Sequence, residues 1–331
     1  MRKKALALSV ALCLSLSLIS QVSAAERIIL YTSMKESLIG ALYEAFNEKY
    51  PDITMDYQSA GAGKLMSKIA AEHKSGAILA DVIWTSEVPD FYNLKNEGML
   101  EKYIPTVFPE IINPFDDHDG HFTAARLGTL GIVYNTKQVK TAPAVWNDIF
   151  NPEFKGTFGI ANPALSGTAY MSISLLVNQF GWEFIEKMAA NKTKIGKGSG
   201  LVVDDTESGK LAGCIAVDYI TLDKIKQGAP LAYVFPPEIL VVPSPVAIFK
   251  GTPNLSAAQK FVDFLLSKEA QEIIAGEGTL PVRNDVALNP ALPVSSPEEA
   301  VKRSIKIDYL KLMAEKQNIL KNFTNTMQGS R

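Results

Sequence analysis

Short apolar runs alternate with amphipathic segments along the hundred residues that follow residue 24. The strand-like runs are residues 27–31, 53–58 and 80–84. The segments with apolar side chains at helical spacing are residues 35–49, 63–73 and 88–97. Ile28, Ile29 and Leu30 are all apolar, which is typical of a strand covered on both faces. This order of strands and helices predicts a mostly parallel sheet with helices on both faces.

A second α/β unit is predicted from residue 128 onward. Its strands are expected at residues 128–134, 158–161, 211–218, 231–235 and 245–249. Its helices are expected at residues 167–180, 181–191, 219–227, 254–277 and 297–327. The last helix has a clear start signal, because Ser296 can cap its N-terminus and Pro297 fits its first turn.

The composition indicates a folded globular protein and excludes several classes. The chain has 331 residues, 47% of them hydrophobic, and this length favours two domains. Its formal net charge is −2, so no basic excess points to a nucleic-acid partner. The two cysteines, Cys13 and Cys214, cannot form a disulfide framework. Cys214 lies in the apolar run 211–217 and is expected to be a buried thiol.

Residues 1–24 have the pattern of a signal peptide that is cleaved near Ala24. Basic residues at positions 2–4 precede an apolar run over 5–19, and small residues follow at 22–24. A membrane anchor is the alternative, but the run is short for a span. The pattern therefore predicts an exported protein.

Three polar, glycine-containing turns each precede a predicted helix. They are residues 59–64, 164–168 and 196–200. Glycine allows a ligand close to the backbone, and a helix N-terminus favours an anion, so the three turns together indicate a small anionic ligand. The first turn is not a phosphate-binding P-loop, because Gln58 stands at its first glycine position and Leu65 follows Lys64.

The motifs of metal centres and hydrolases are weak. Residues 116–121 read Asp-Asp-His-Asp-Gly-His, but they lack EF-hand and zinc-helix spacing and favour a solvated loop. The chain contains no Gly-x-Ser-x-Gly elbow. We therefore expect no enzyme activity, no catalytic residues, no metal and no cofactor.

Several blocks of sequence resemble the substrate-binding proteins of bacterial ABC importers. The blocks are residues 30–33, 80–84, 131–136, 163–170, 258–271 and 280–283. The resemblance extends over nearly the whole chain after residue 24, and it is to the branch that binds ferric iron, thiamine, phosphonates and hexose phosphates.

The resemblance implies an α/β, two-lobed, type II periplasmic-binding-protein fold with two crossover strands and a central ligand cleft. Lobe one would comprise residues 25–125, with 245–289 returning to it. Lobe two would comprise residues 126–244, with the C-terminal helix in 290–331 packed on it. The crossings should fall near residues 126–133 and 240–247, and the lobes should close on a ligand by hinge motion in a monomer.

The resemblance also bears on the ligand. Ferric members hold iron with adjacent tyrosines and often with a His and a Glu. Here the tyrosine pair falls on Tyr219 and Ile220, the His position on Met34 and the Glu position on Ser86. These replacements disfavour iron.

The anion-binding half of the family site is retained at Ser166, Gly167 and Thr168. Asp218 and Glu238 stand where members that bind phosphorylated solutes carry acids. There they could accept hydrogen bonds from hydroxyl groups of the ligand or pair with its amine. The predicted ligand-binding residues are Thr32, Ser33, Ser59, Ser86, Arg126, Ser166, Gly167, Thr168, Ser199, Asp218 and Glu238.

The predicted function is that of a periplasmic solute-binding component of an ABC transporter. It would capture a small anionic solute, phosphorylated or a phosphonate, and pass it to a permease and its ATPase in the inner membrane. Ferric iron and thiamine remain alternative ligands. An exported phosphate-ester hydrolase is the alternative from a different class.

Overall fold

The structure is a computed structural model that describes residues 26–115 and 119–329. The predicted signal peptide lies outside the described residues, as do residues 116–118 of the acidic loop.

Strands and helices alternate through most of the described chain. The strands are β1 (Glu26–Thr32), β2 (Ile53–Ser59), β3 (Val82–Trp84), β4 (Thr123–Asn135), β5 (Phe158–Ala161), β6 (Lys194–Gly196), β7 (Gly213–Val217), β8 (Leu231–Val234) and β9 (Leu240–Ile248). The helices are α1 (Glu36–Lys49), α2 (Ala62–Lys74), α3 (Val88–Asn96), α4 (Gly167–Phe180), α5 (Trp182–Ala190), α6 (Ser199–Glu207), α7 (Asp218–Lys226), α8 (Leu255–Leu266), α9 (Lys268–Gly276), α10 (Pro297–Arg303) and α11 (Tyr309–Gly329). Short 3-10 helices span Phe108–Glu110, Trp146–Phe150 and Pro152–Phe154.

The strands form one continuous curled sheet in the order β2-β1-β3-β9-β4-β7-β5-β6, with β8 also paired to β4. In the first lobe β1 pairs in parallel with β2 and β3, and in the second lobe β5 pairs in parallel with β6 and β7. Helices cover the sheet, so β3, β5 and β7 are buried along their whole length, whereas the edge strands β2 and β6 stay partly exposed. The predicted α/β, two-lobed fold is confirmed.

Two long antiparallel strands, β4 and β9, join the lobes. Their register runs from Thr123 opposite Val246 to Leu130 opposite Leu240. It shifts just before Arg126, and such an irregularity redirects the side chains that follow it. The predicted crossings lie within these two strands, while the lobe boundaries themselves remain predictions.

Two predicted helices are each divided in the structure. Residues 254–277 form α8 and α9, because the Ser267 side chain accepts a hydrogen bond from the Ala270 backbone N–H and caps a new helix. Residues 297–327 form α10 and α11, and Ser304 between them makes a β-bridge with Ile239. Helical periodicity continues across both breaks, which is why the pattern of apolar residues did not show them.

The C-terminal helix α11 packs against α3 of the first lobe as well as α4 and α5 of the second. The helix thus makes contacts with α4 and α5, on which it was expected to pack, and also with α3. Tyr170 of α4 donates a hydrogen bond from its hydroxyl to the Leu312 carbonyl at 3.0 Å. On the other side, Lys316 forms ion pairs with Glu87 and Asp90, each at 2.5 Å.

Cys214 lies on β7 and is fully buried, as predicted. Burial raises the pKa of its thiol to about 12, so the thiol stays protonated at neutral pH. None of the helices within 26–115 and 119–329 combines the length and apolarity that a membrane span requires.

Candidate functional site

A cavity of about 540 Å³ lies between the two lobes. Its walls are formed where strands end: Ser33 after β1, Ser59 at the end of β2, Ser86 after β3 and Tyr219 after β7. Ligands of open α/β sheets bind at the carboxyl ends of strands, where loops and helix N-termini converge. Eight of the eleven predicted residues line this cavity: Ser33, Ser59, Ser86, Arg126, Ser166, Gly167, Thr168 and Ser199.

Three hydroxyl groups of the second lobe form a triangle on one wall, which we call the hydroxyl triangle. Ser166 Oγ lies 3.0 Å from Thr168 Oγ1 and 2.8 Å from Ser199 Oγ, and the last two are 2.8 Å apart. Ser166 caps α4, and Ser199 is the first residue of α6. Two helix N-termini therefore meet here, and their free N–H groups favour an anion.

Gly167 brings the hydroxyl triangle against the first lobe. A β-carbon at this position would lie 2.9 Å from Glu87 Cβ and 3.1 Å from Ala62 Cβ. Such separations are too short for carbon atoms in contact, so only glycine allows α4 to approach α2 and α3 this closely.

The guanidinium of Arg126 lines the cavity although the residue is 0% exposed. Its Nε donates to Ser244 Oγ at 3.1 Å, and its Nη1 donates to Thr279 Oγ1 at 3.1 Å. Asp218 Oδ1 lies 3.7 Å from Nη1, and the Tyr219 ring centroid lies 4.8 Å from Cζ. These contacts on several sides hold the cation in one orientation.

A chain of serine hydroxyls links Arg126 to the first lobe. Ser86 Oγ lies 3.1 Å from Ser244 Oγ, which accepts the Arg126 hydrogen bond. The Ser86 backbone N–H donates to Ser33 Oγ at 3.2 Å. Ser59 donates from its hydroxyl to the Met34 carbonyl at 2.6 Å. The predicted hydroxyls of lobe one are thus built into the cavity wall.

Asp218 is not among the residues that line the cavity, although it was expected to bind hydroxyl or amine groups of the ligand. It begins α7 and is fully buried beneath the cavity. Its carboxylate accepts hydrogen bonds from the backbone and hydroxyl of Thr129, from the Tyr219 N–H and from the Thr279 hydroxyl. Burial raises the pKa of Asp218, and these donors together with Arg126 act against that shift. Its acceptor sites are filled by protein groups.

Thr32 and Glu238 also lie outside the lining. Thr32 is fully buried, and its Oγ1 accepts a hydrogen bond from the Met34 N–H at 3.1 Å, so it shapes the turn before α1. Glu238 is half-buried between β8 and β9, and its backbone carbonyl accepts a hydrogen bond from Trp146 Nε1 at 3.0 Å.

The cavity is also lined by three lysines, Lys35, Lys64 and Lys197. None of them was among the predicted ligand-binding residues. Lys64 and Lys197 belong to two of the glycine turns, so their positions in those turns were the signal that could have identified them. Lys35 precedes α1, and its backbone N–H donates to the Tyr219 hydroxyl of the second lobe at 3.0 Å. The site is therefore more basic than predicted.

The donor groups near Tyr219 do not suit a hard metal cation. Burial raises the pKa of the Tyr219 phenol, so the group is protonated at neutral pH, and its neighbour Ile220 offers no ligand atom. Within the residues that the structure describes, no group of three or more His, Cys, Asp or Glu side chains is arranged to hold a metal ion.

Known proteins resemble this chain in sequence and fold. An uncharacterized protein of Haemophilus influenzae is 29% identical over 284 residues, which cover 81% of this chain and 80% of that protein. A Salmonella typhimurium protein with the provisional name 2-aminoethylphosphonate-binding periplasmic protein is 25% identical over 256 residues, 74% of each chain.

The structure of the periplasmic binding protein AfuA from Actinobacillus pleuropneumoniae, with fructose 6-phosphate bound, superimposes with a TM-score of 0.80 at 25% identity. The match covers 91% of this chain and 98% of AfuA. Ferric-binding proteins share the fold at identities below 25%, which shows the fold alone. Residues 77–312 match the family of bacterial extracellular solute-binding proteins. The chain belongs to that family.

Proposed function

We propose that this protein captures a small phosphorylated or phosphonate solute in the periplasm and delivers it to an ABC permease and its ATPase. The observation that carries the proposal is the hydroxyl triangle of Ser166, Thr168 and Ser199 at two helix N-termini, in one cavity with Arg126.

The chemistry of the triangle fits a tetrahedral oxyanion. Each hydroxyl can turn its proton toward a ligand oxygen, and the first N–H groups of α4 and α6 supply further donors. Hydrogen bonds to a charged acceptor are about twice as strong as neutral ones. Two of the similar proteins are named for, or were solved with, compounds that carry such a group, a phosphonate and a sugar phosphate.

The alternatives fit the cavity less well. Iron would need several anionic oxygen ligands, whereas Ile220 offers no ligand atom and burial opposes ionisation of the neighbouring Tyr219. Thiamine is a cation, and the lysines of the cavity would repel it. A phosphate-ester hydrolase would need a metal or an activated nucleophile, and the described lining contains no histidine to serve as a base.

The family match and the predicted signal peptide support a role in transport rather than catalysis. The relatives named as periplasmic support the periplasm as its location. We expect the mature protein to act as a monomer that docks on its permease.

A thermal-shift screen of the purified mature protein tests this function. The compounds are glycerol 3-phosphate, fructose 6-phosphate, 2-aminoethylphosphonate, inorganic phosphate, thiamine and Fe³⁺. A ligand present at 100 times its Kd adds about 2.7 kcal/mol of stability, so a phosphorus compound should raise the Tm by several degrees. Stabilisation by Fe³⁺ or thiamine, with none by any phosphorus compound, would contradict the proposal.

A further inference from the structure

A hydrogen bond crosses the cleft from the first lobe to the second. The backbone N–H of Lys35, the residue just before α1, donates to the Tyr219 hydroxyl at 3.0 Å, and Tyr219 is the second residue of α7. Helices α1 and α7 also contact each other. Because the apolar face of α1 is buried in the first lobe, a bond at the N-terminus of this helix holds that lobe against the second.

The Tyr219 ring packs against the buried arginine of the site. Tyr219 lines the cavity but is only 3% exposed, and its ring centroid lies 4.8 Å from Arg126 Cζ, a separation typical of a cation–π contact. Ser244 and Thr279 accept hydrogen bonds from the guanidinium and fix its orientation. The ring therefore has little freedom to turn, and its hydroxyl stays at the N-terminus of α1.

The Tyr219 hydroxyl can make a second hydrogen bond. A phenolic hydroxyl both accepts and donates. Its oxygen accepts from the Lys35 N–H, whereas its own proton has no acceptor among the hydrogen bonds of the described residues. Burial raises the pKa of the phenol, so the group keeps that proton at neutral pH. An oxygen atom of a ligand in the cavity would supply the missing acceptor.

Building on the proposed function, we propose that Tyr219 binds the anionic group of the ligand and couples its capture to closure of the lobes. The hydroxyl donates its proton to an oxygen of the bound anion, while its oxygen holds the Lys35 N–H of the other lobe. Donation to a charged acceptor makes the phenol oxygen a better acceptor, because hydrogen bonds in a chain polarise one another. This chain of hydrogen bonds is complete only when the ligand is present and the lobes are closed.

Tyr219→Phe removes the hydroxyl and keeps the ring against Arg126. In calorimetric titrations we expect the variant to bind inorganic phosphate and glycerol 3-phosphate at least tenfold more weakly, by the same factor for both, because the lost contact is to the anionic group that they share. In small-angle X-ray scattering with saturating phosphate, it should keep a larger radius of gyration than the parent. Tyr103→Phe is the matched control and should change neither property, because the Tyr103 hydroxyl donates to Asp263 Oδ2 within the first lobe at 2.7 Å.

Two substitutions at Lys35 test the other half of the hydrogen bond. Lys35 has φ −84° and ψ 164°, close to the values that proline adopts, so Lys35→Pro removes the N–H with little strain at that residue. Lys35→Ala removes the same side chain and keeps the N–H. We expect the proline variant to bind phosphate at least fivefold more weakly than the alanine variant. In a Tyr219→Phe background the two should differ less than twofold, because the hydrogen bond is already broken there.

The parent protein separates this inference from the function on which it rests. If the parent binds neither phosphate nor glycerol 3-phosphate at millimolar concentration, the proposed function itself is contradicted. If the parent binds them but does not become more compact, or if Tyr219→Phe binds or compacts like the parent, the coupling role is wrong while the phosphorus site stands. Urea denaturation of the ligand-free variants shows whether each is folded, and the Lys35 pair tests the coupling even if Tyr219→Phe is not.

Discussion

Asp218 holds Arg126 in place beneath the cavity: Asp218 Oδ1 lies 3.7 Å from Arg126 Nη1, and the two side chains are 0% and 1% exposed. Replacing Asp218 with Asn leaves the buried guanidinium without its counter-charge, so we expect a loss of about 3–5 kcal/mol in the free energy of unfolding. Urea denaturation of the two proteins measures this loss.

The same variant shows whether Asp218 touches a ligand. Because its oxygens are occupied by Thr129, Tyr219 and Thr279, Asp218→Asn should change the affinities for inorganic phosphate and glycerol 3-phosphate by the same factor. Calorimetry on both compounds measures the two factors. A loss of affinity for glycerol 3-phosphate alone would show that the Asp218 carboxylate contacts the organic part of the ligand.

Gly63 allows the lobes to meet above the cavity. A β-carbon on Gly63 would lie 2.3 Å from the carbonyl oxygen of Ala164, which belongs to the other lobe. Gly63→Ala should therefore hinder closure of the two lobes. In saturating glycerol 3-phosphate the variant should have a larger radius of gyration than the parent, and it should bind this ligand at least tenfold more weakly. The free energy of unfolding should not fall, because alanine favours the helix and the open form has no clash.

Small-angle X-ray scattering and calorimetry measure the two effects of Gly63→Ala. Gly276→Ala is the matched control, since nothing lies within 4 Å of a β-carbon at that position. If Gly63→Ala closes and binds like the control, the lobes do not need this close approach.

Glu87 makes the stability of the lobe contact depend on pH. Burial, followed by the charge of Asp90, raises its pKa from 4.5 to about 8, and Lys316 opposes the shift. The Tyr170 ring also faces Lys316, whose Nζ lies 5.5 Å from the ring centroid. Between pH 4.5 and about 8, Glu87 is protonated in the folded state and ionised in the unfolded chain. The free energy of unfolding therefore falls as the pH rises through this range.

Glu87→Gln tests that dependence. A glutamine resembles the protonated acid, so the variant should lack the part of the pH dependence due to Glu87 and should be at least as stable as the parent at pH 8. Urea denaturation at pH 5, 6.5 and 8 provides the comparison. Parallel curves for the two proteins would show that Glu87 is ionised throughout.

Lys316 fastens the C-terminal helix to the first lobe. Lys316→Met would leave the buried Glu87–Asp90 carboxyl pair, which still carries negative charge, without a cation, and we expect it to cost about 3–5 kcal/mol of stability at neutral pH. Lys302→Met is the control, because Lys302 is 75% exposed and its ion pair with Glu298 contributes at most about 1 kcal/mol. If the two variants unfold at the same Tm, Lys316 does not stabilise the contact between the C-terminal helix and the first lobe.

Local pattern predicted most of the fold because each lobe is built from consecutive strand–helix units. The apolar run 27–31 lies within β1, and the helix predicted at 167–180 coincides with α4. What the pattern could not show were features that depend on a single side chain or a distant partner. The cap at Ser267 and the packing of α11 on both lobes are of this kind.

Site residues that lie in glycine-containing turns before a helix were predictable from the sequence, because a helix N-terminus favours an anion. Ser166 and Ser199 come from two of the glycine turns, and the structure brings both to one cavity although they are distant in sequence. Asp218 and Glu238 lie outside the lining, because a carboxylate after a strand can equally point inward to an arginine or outward to solvent. Only the three-dimensional arrangement decides between these positions.

The most direct test of the account is to locate an oxyanion in a crystal of the mature protein. Tungstate is a tetrahedral dianion, and its metal scatters X-rays anomalously, so a crystal soaked in tungstate reports the position of the anion without assumptions about the ligand. We expect one strong anomalous peak within hydrogen-bond distance of Ser166, Thr168 and Ser199, and we expect this peak to be absent in Ser166→Ala at the same concentration. Strong peaks elsewhere on the protein, with none at the hydroxyl triangle, would contradict the account.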